Sequence, residues 1–177
     1  MPTFNIALQT RLGSSPSHDA WISDGPLSTI TQPRWIALAH HSSSVLRLPS
    51  FGVFSPQALL RAIGMEACLA VCLDPTNLTL ACAAIPETPH YFRLADATIK
   101  PLPPNPEPFS LSAGDAYIAL TPGALRPADS PTIARFIHLR DYFNAEKLAA
   151  ALLNHLSELA PGESWVEDVT VLVIEAR

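Results

Sequence analysis

Short apolar runs, each cut off by proline, glycine or a polar turn, constrain this chain more than any other feature. They fall at Phe4–Thr10, Asp19–Ser23, Arg34–His40, Ala67–Asp74, Leu78–Ile85, His90–Ala95, Asp115–Thr121 and Asp168–Ala176. Runs of this length, bounded by turn residues, read as strands rather than helices. Pro75-Thr76-Asn77 between the fourth and fifth runs is a hairpin signature. The closing run, rich in Val and Ile, packs well on a pleated surface. No run approaches the roughly 18 apolar residues of a membrane-spanning helix.

Helices are fewer and more clearly punctuated. Ser55-Pro56 opens one that continues to Ile63 and stops at Gly64, with a cap, a first-turn proline and a terminating glycine. Ser130-Pro131 opens a shorter one reaching Arg140. A long helix runs from the Asn144 cap to Ala160, with Leu148, Leu152, Leu156 and Leu159 at helical spacing, and Pro161-Gly162 ends it. Strands in succession, with few intervening helices, predict an α+β fold of antiparallel sheets. The leucine stripe predicts that the long helix covers one outer face, with the Ser55–Ile63 helix on the other.

With 177 residues the chain is expected to form one domain spanning 1–177. The 18 prolines mostly separate apolar runs, and residues 101–108, PLPPNPEP, form a stiff extended loop. Hydrophobic residues make up 48% and charged ones 15%, which excludes a chain kept open by charge. A net charge of −5 argues against a nucleic-acid or anionic-membrane surface. The opening residues lack a basic segment followed by an apolar stretch, so a cytoplasmic location is the expectation. Cys68, Cys72 and Cys82 make no paired framework and read as small inward-facing hydrophobes.

The carboxyl-terminal half carries a resemblance. Leu111-Ser112-Ala113-Gly114-Asp115 leading through Tyr117-Ile118-Ala119-Leu120 to Thr121-Pro122-Gly123 resembles the Gly-Asp…Thr-Asp-Gly strand of the type 2C metal-dependent protein phosphatases, most closely the bacterial sporulation stage II E branch. The 144–160 helix and Glu167-Asp168-Val169-Thr170 are similar to that family's last helix and its closing Asp-Asp-(Ile/Val)-Thr strand. Arg11-Leu12-Gly13 through His18-Asp19-Ala20 is similar to its opening Arg-x-Gly…Asn-(Glu/Gln)-Asp-Ala. The resemblance implies a phosphatase-2C-like sandwich of two mainly antiparallel β-sheets flanked by helices.

It also implies two Mg²⁺ or Mn²⁺ ions, hard cations that take carboxylate and water oxygens and activate a water toward a phosphoryl group. Against that pattern the sequence departs at specific places. Asp19 keeps the opening acid. His40, followed by His41, stands where the family has its bridging aspartate after the early strand. Thr121-Pro122-Gly123 replaces Thr-Asp-Gly, and a proline side chain ligates nothing. Glu167-Asp168 stands for the final acidic pair. The candidate metal ligands are therefore Asp19, His40, Glu167 and Asp168, and Arg11, His41, Thr121 and Pro122 are the candidate cleft residues for substrate or partner. Arg11 suits a phosphate as a bidentate donor or is simply a surface arginine. Asp115 and the Asp24-Gly25 turn read as structural.

Two readings follow. In one, the domain is a pseudophosphatase without cofactor that binds a protein or phosphopeptide partner in bacterial signalling. In the other, it is a working Mg- or Mn-dependent serine/threonine phosphoprotein phosphatase with a reorganised site. Losing the bridging carboxylate weighs against the second, because adjacent cations need shared anionic ligands. The partner is expected at the end of the sandwich where these motifs converge. The loop His41–Pro49, carrying Val45, Leu46 and Leu48, is a candidate contact surface beside it.

Overall fold

The computed structural model describes residues 1–14, 18–42, 55–63, 67–84, 90–96, 98–103, 105–125, 128–138, 144–160, 165 and 167–177. These form two antiparallel sheets packed face to face with helices outside each. The strands are β1 (Phe4–Arg11), β2 (His18–Ser23), β3 (Thr29–Ile30), β4 (Arg34–Ser42), β5 (Ala67–Asp74), β6 (Thr79–Ala84), β7 (His90–Ala95), β8 (Thr98–Pro101), β9 (Phe109–Ser110), β10 (Ala116–Leu120) and β11 (Val169–Ala176). The helices are α1 (Pro56–Ile63), α2 (Ser130–His138) and α3 (Ala145–Leu159), and Pro122–Leu125 makes a 3-10 turn. The first sheet runs β3-β1-β11-β10-β7-β8 and the second β2-β4-β5-β6-β9.

Alternation along the strands builds three apolar layers. Between the sheets, Phe4, Ile36, Leu38, Leu69, Val71, Leu80, Tyr117, Leu172 and Ile174 form the central core. The opposite faces of β10 and β11 present Ile118, Leu120, Val171 and Val173 to Ile133 and Ile137 of α2 and Leu148, Leu152 and Leu156 of α3. Trp35, Ala37 and Ala70 bury Leu59 of α1 against the second sheet. The helices thus lie on opposite outer faces, as the leucine stripe predicts. Leu159, the last residue of that stripe, is exposed because α3 ends there.

Local chemistry fixes the ends of these elements. Ser55 Oγ accepts the Ala58 N–H, Asp129 Oδ1 accepts the Thr132 N–H, and Asn144 Oδ1 accepts the Lys147 N–H, each at the opening of a helix. Asp129 thus caps α2, which opens at Ser130-Pro131 as the sequence predicts, while the expected end at Arg140 lies outside the described residues. In the β5–β6 hairpin, Asp74 accepts the Thr76 N–H and Leu78 takes φ 48°, so the turn extends one residue beyond Pro75-Thr76-Asn77. The proline-rich connector crosses from the edge of the first sheet to that of the second, joining β8 to β9. Asn105 within it accepts the Ala84 N–H at the end of β6. Cys82 lies in the central core and Cys72 is half-buried beside the α1 layer.

Among the described residues no helix is long and apolar enough to cross a membrane.

Candidate functional site

Strand register brings the sequence motifs together at one end of the sandwich. On β11 and β1, Thr170 pairs with Thr10 and Val169 with Arg11, so residues entering β11 meet those leaving β1. β10 delivers Thr121 beside them, its N–H donating to the Thr170 carbonyl at 3.0 Å. β2 returns from the loop after Arg11 and carries Asp19 to the same place.

Asp168 is buried, with 1% of its surface exposed. Its Oδ1 accepts the Gly13 N–H at 2.6 Å and its Oδ2 accepts the Asp19 N–H at 2.9 Å. Asp19 Oδ2 in turn accepts the hydroxyls of Thr121 at 2.7 Å and Thr170 at 2.8 Å. Thr121 Oγ1 also accepts the Thr170 N–H at 2.8 Å. Thr170 Oγ1 lies 2.9 Å from Thr10 Oγ1. A hydroxyl has one proton, and that of Thr170 is directed to Asp19, so Thr10 is the donor in its pair. The result is a relay: Thr10 donates to Thr170, Thr170 and Thr121 donate to Asp19, and backbone N–H groups donate to Asp168. Connected donors of this kind polarise one another and replace the water that a buried carboxylate would otherwise require.

Gly123 is required by the packing here. A Cβ at that position would overlap the carbonyl oxygen of Asp168, so the 3-10 turn can lie on the β11 entrance only with glycine there. Pro122 begins that turn and is half-buried.

Arg11 occupies the rim. Its guanidinium lies 4.9 Å from the centre of the Trp165 ring and donates to Ser157 Oγ on α3. The Ser14 N–H donates to the Trp165 carbonyl at 2.7 Å, fixing the strand exit against the segment before β11. Glu167 is half-buried at the β11 entrance. His40 and His41 lie on the last residues of β4, where His18 pairs with Ser42, but their side chains are outside the described residues. The loop residues 43–49, with Val45, Leu46 and Leu48, are also outside them.

Of the sequence candidates, Asp19, Asp168 and Thr121 are thus in direct contact or share a partner, with Pro122 adjacent and Arg11 at the rim. Thr10 and the ring of Trp165 carry no motif and were not anticipated; Thr170 and Gly13 were visible only as members of motifs. Away from the site, Asp115 accepts the Ser112 N–H at 2.9 Å and lies 3.6 Å from Arg93, a structural role. Asp24 Oδ1 accepts the Trp35 N–H at 3.1 Å, closing its turn.

The described residues do not fit a two-cation centre. Such a centre needs carboxylates converging on a common point, with at least one shared. Here Asp168 turns both oxygens to backbone donors, Asp19 receives two hydroxyl donors, and proline follows Thr121. Among the described residues no three His, Cys, Asp or Glu side chains gather closely enough to hold a metal.

No protein-family model matches the chain, and no curated protein gives a significant match. Solved structures do. The PP2C phosphatase domain with a fragment of the regulatory domain of the cell fate determinant SpoIIE from Bacillus subtilis superposes with a TM-score of 0.71 at 12% identity, over 97% of this chain and 63% of that one. The SiaA-PP2C domain of Pseudomonas aeruginosa gives a TM-score of 0.67 at 13% identity, over 96% and 84%. The catalytic domain of the serine/threonine phosphatase PstP, solved with manganese ions, gives 0.60 at 13% identity over 99% of both chains. The chain has the PP2C fold.

Proposed function

We propose that this domain is a PP2C-like pseudophosphatase that binds a protein or phosphopeptide partner in bacterial signalling. The observation that carries the reading is the use made of Asp19 and Asp168. In a phosphatase of this fold, acids at this end of the sandwich hold cations. In this chain they accept hydrogen bonds from Gly13, Asp19, Thr121 and Thr170, which join β1, β2, β10 and β11. The fold's scaffold is kept while its carboxylates serve as structural acceptors. The solved relatives support the signalling context, since SpoIIE is described as a cell fate determinant and PppA of Pseudomonas aeruginosa as a key regulatory component of T6SS.

The test combines binding and turnover. Calorimetric titration with Mg²⁺, Mn²⁺ and Zn²⁺ should give no saturable heat, and a generic aryl phosphate should be hydrolysed no faster with Mn²⁺ than with chelator. A Mn²⁺-dependent rate that disappears in Asp19→Ala, with the variant still folded, would establish the active-phosphatase reading instead.

A further inference from the structure

Among the described residues, the outer edge of β1 is paired only at its start. Thr3 and Arg177 exchange both backbone bonds, which points the odd-numbered residues of β1 toward β11 and the even-numbered ones away from it. On that outer side β3 contributes only Thr29 and Ile30, opposite Asn5 and Phe4, and the Ile6 N–H reaches the Ser28 carbonyl. Beyond Ile6, among the described residues, no strand continues the sheet past Leu8 and Thr10. A groove of about 520 Å³ runs along this strand, lined by Asn5 to Gln9 and by Glu146 at the start of α3. Long open edges are templates for strand addition and are usually blunted by proline, lysine or a bulge. β1 has none of these, and its one charge is the terminal Arg11.

We propose that this edge pairs with the same edge of a second copy of the chain, joining the two first sheets into one across a two-fold axis at Gln9. The register follows from which groups face outward. Leu8 and Thr10 present their N–H and C=O groups to the edge, so an antiparallel copy satisfies them by setting Leu8 against the partner's Thr10 and Thr10 against the partner's Leu8. Gln9 then faces its own copy, and Ala7 faces the partner's Arg11. The partner strand ends at that arginine, just short of the place where β3 already covers the edge. Charge agrees with this register. It sets the partner's Arg11 opposite Ala7, in a groove that Glu146 also lines, so that its guanidinium can exchange its own Ser157 for that carboxylate, and no like charges meet along the strand.

Light scattering and sedimentation on the full chain should show a concentration-dependent dimer. Leu8→Pro removes an outward N–H while leaving the β11 ladder intact, because position 8 does not donate to β11. It should weaken association at least about tenfold, since the symmetry loses that bond on both sides of the axis. Leu8→Ala, which keeps the N–H, should leave the dimer in place. A second measurement does not depend on proline being tolerated. Gln9 meets Gln9 as a non-hydrogen-bonded pair with Cα atoms about 4.5 Å apart, inside the roughly 4.4–6.8 Å range of a disulfide. Gln9→Cys in a Cys68→Ser background should therefore cross-link to a dimer on mild oxidation, whereas Asn5→Cys, opposite β3, should not. A monomer at all concentrations, a dimer indifferent to Leu8→Pro in folded protein, or equal cross-linking at Gln9 and Asn5 overturns the proposal. The first result would leave the edge to a strand from a different protein.

Discussion

Asp19 presents its backbone N–H, not its carboxylate, to Asp168: the contact is a donor–acceptor pair of 2.9 Å between Asp19 N and Asp168 Oδ2. Two acids that would repel through their side chains are thereby joined through one main chain and one side chain. The Asp19 carboxylate turns instead to the hydroxyls of Thr121 and Thr170. Each carboxylate thus receives its own donors.

Removing the Asp168 carboxylate leaves the N–H groups of Gly13 and Asp19 without their acceptor. Asp168→Ala is expected to lower unfolding free energy by about 2–4 kcal/mol, because hydrogen bonds to a charged acceptor exceed neutral ones and partly buried donors recover some bonding from water. Asp168→Asn, which keeps one acceptor oxygen, should cost less. Urea denaturation of the two variants checks the order, and equal stabilities would remove the structural role.

Gly123→Ala places a methyl against the main chain at Asp168 rather than against a flexible side chain. Backbone cannot rotate out of the way, so the 3-10 turn must shift. The expected loss is about 1–3 kcal/mol, in the range of overpacked interiors. Denaturation measurements should show it, with perturbed amide signals at Thr121 and Thr170 in an NMR spectrum.

Leu152 is fully buried between α3 and the first sheet. Leu152→Ala should cost about 2–5 kcal/mol, whereas Leu159→Ala, at the exposed end of the same stripe, should change stability by less than about 0.5 kcal/mol. Thermal melts of the pair separate the two positions.

The thiols should be inert in the folded protein. Burial pushes Cys72 up to about 12, with the nearby Asp24 charge adding to it, and pushes Cys82 up to about 11. In a Cys68→Ser background, a disulfide reagent at neutral pH should label neither residue until denaturant is added. The sign of the pH effect follows from the raised values. The unfolded chain loses these protons near the ordinary value of 9.0, while the folded one keeps them. Stability attached to the two thiols is present in full below about pH 9 and falls as pH rises through 11 and toward 12. Labelling of native protein at neutral pH would contradict the burial.

Features that repeat along the chain were legible. The Val- and Ile-rich run became β11, the hairpin at Pro75 became β5 and β6, and the leucine stripe found the outer face it needed. Strands β3 and β9, at two residues each, are too short to display a period, so only the sheet edges they pair with could show them. Ser130-Pro131 marked where α2 begins, whereas its cap, Asp129, is one of two adjacent good capping residues between which only geometry selects. At the site, the acids were conspicuous by type and position. Thr10 was not, since a threonine near the end of a strand is common and its role depends on Thr170 lying opposite, more than 150 residues away.

The position of β11 sets when this protein can fold. It lies between β1 and β10, and its register joins Phe4 to Ala176. Synthesis therefore delivers β1 long before its main partner, and the first sheet stays split until residue 176 has left the ribosome. The second sheet, made of strands closer together in sequence, is free to assemble earlier. Closing so long a loop is entropically slow, and an unpaired apolar β1 is exposed to other chains in the interval. Chaperone dependence during synthesis should thus track the wait for β11 more than the final stability of the domain.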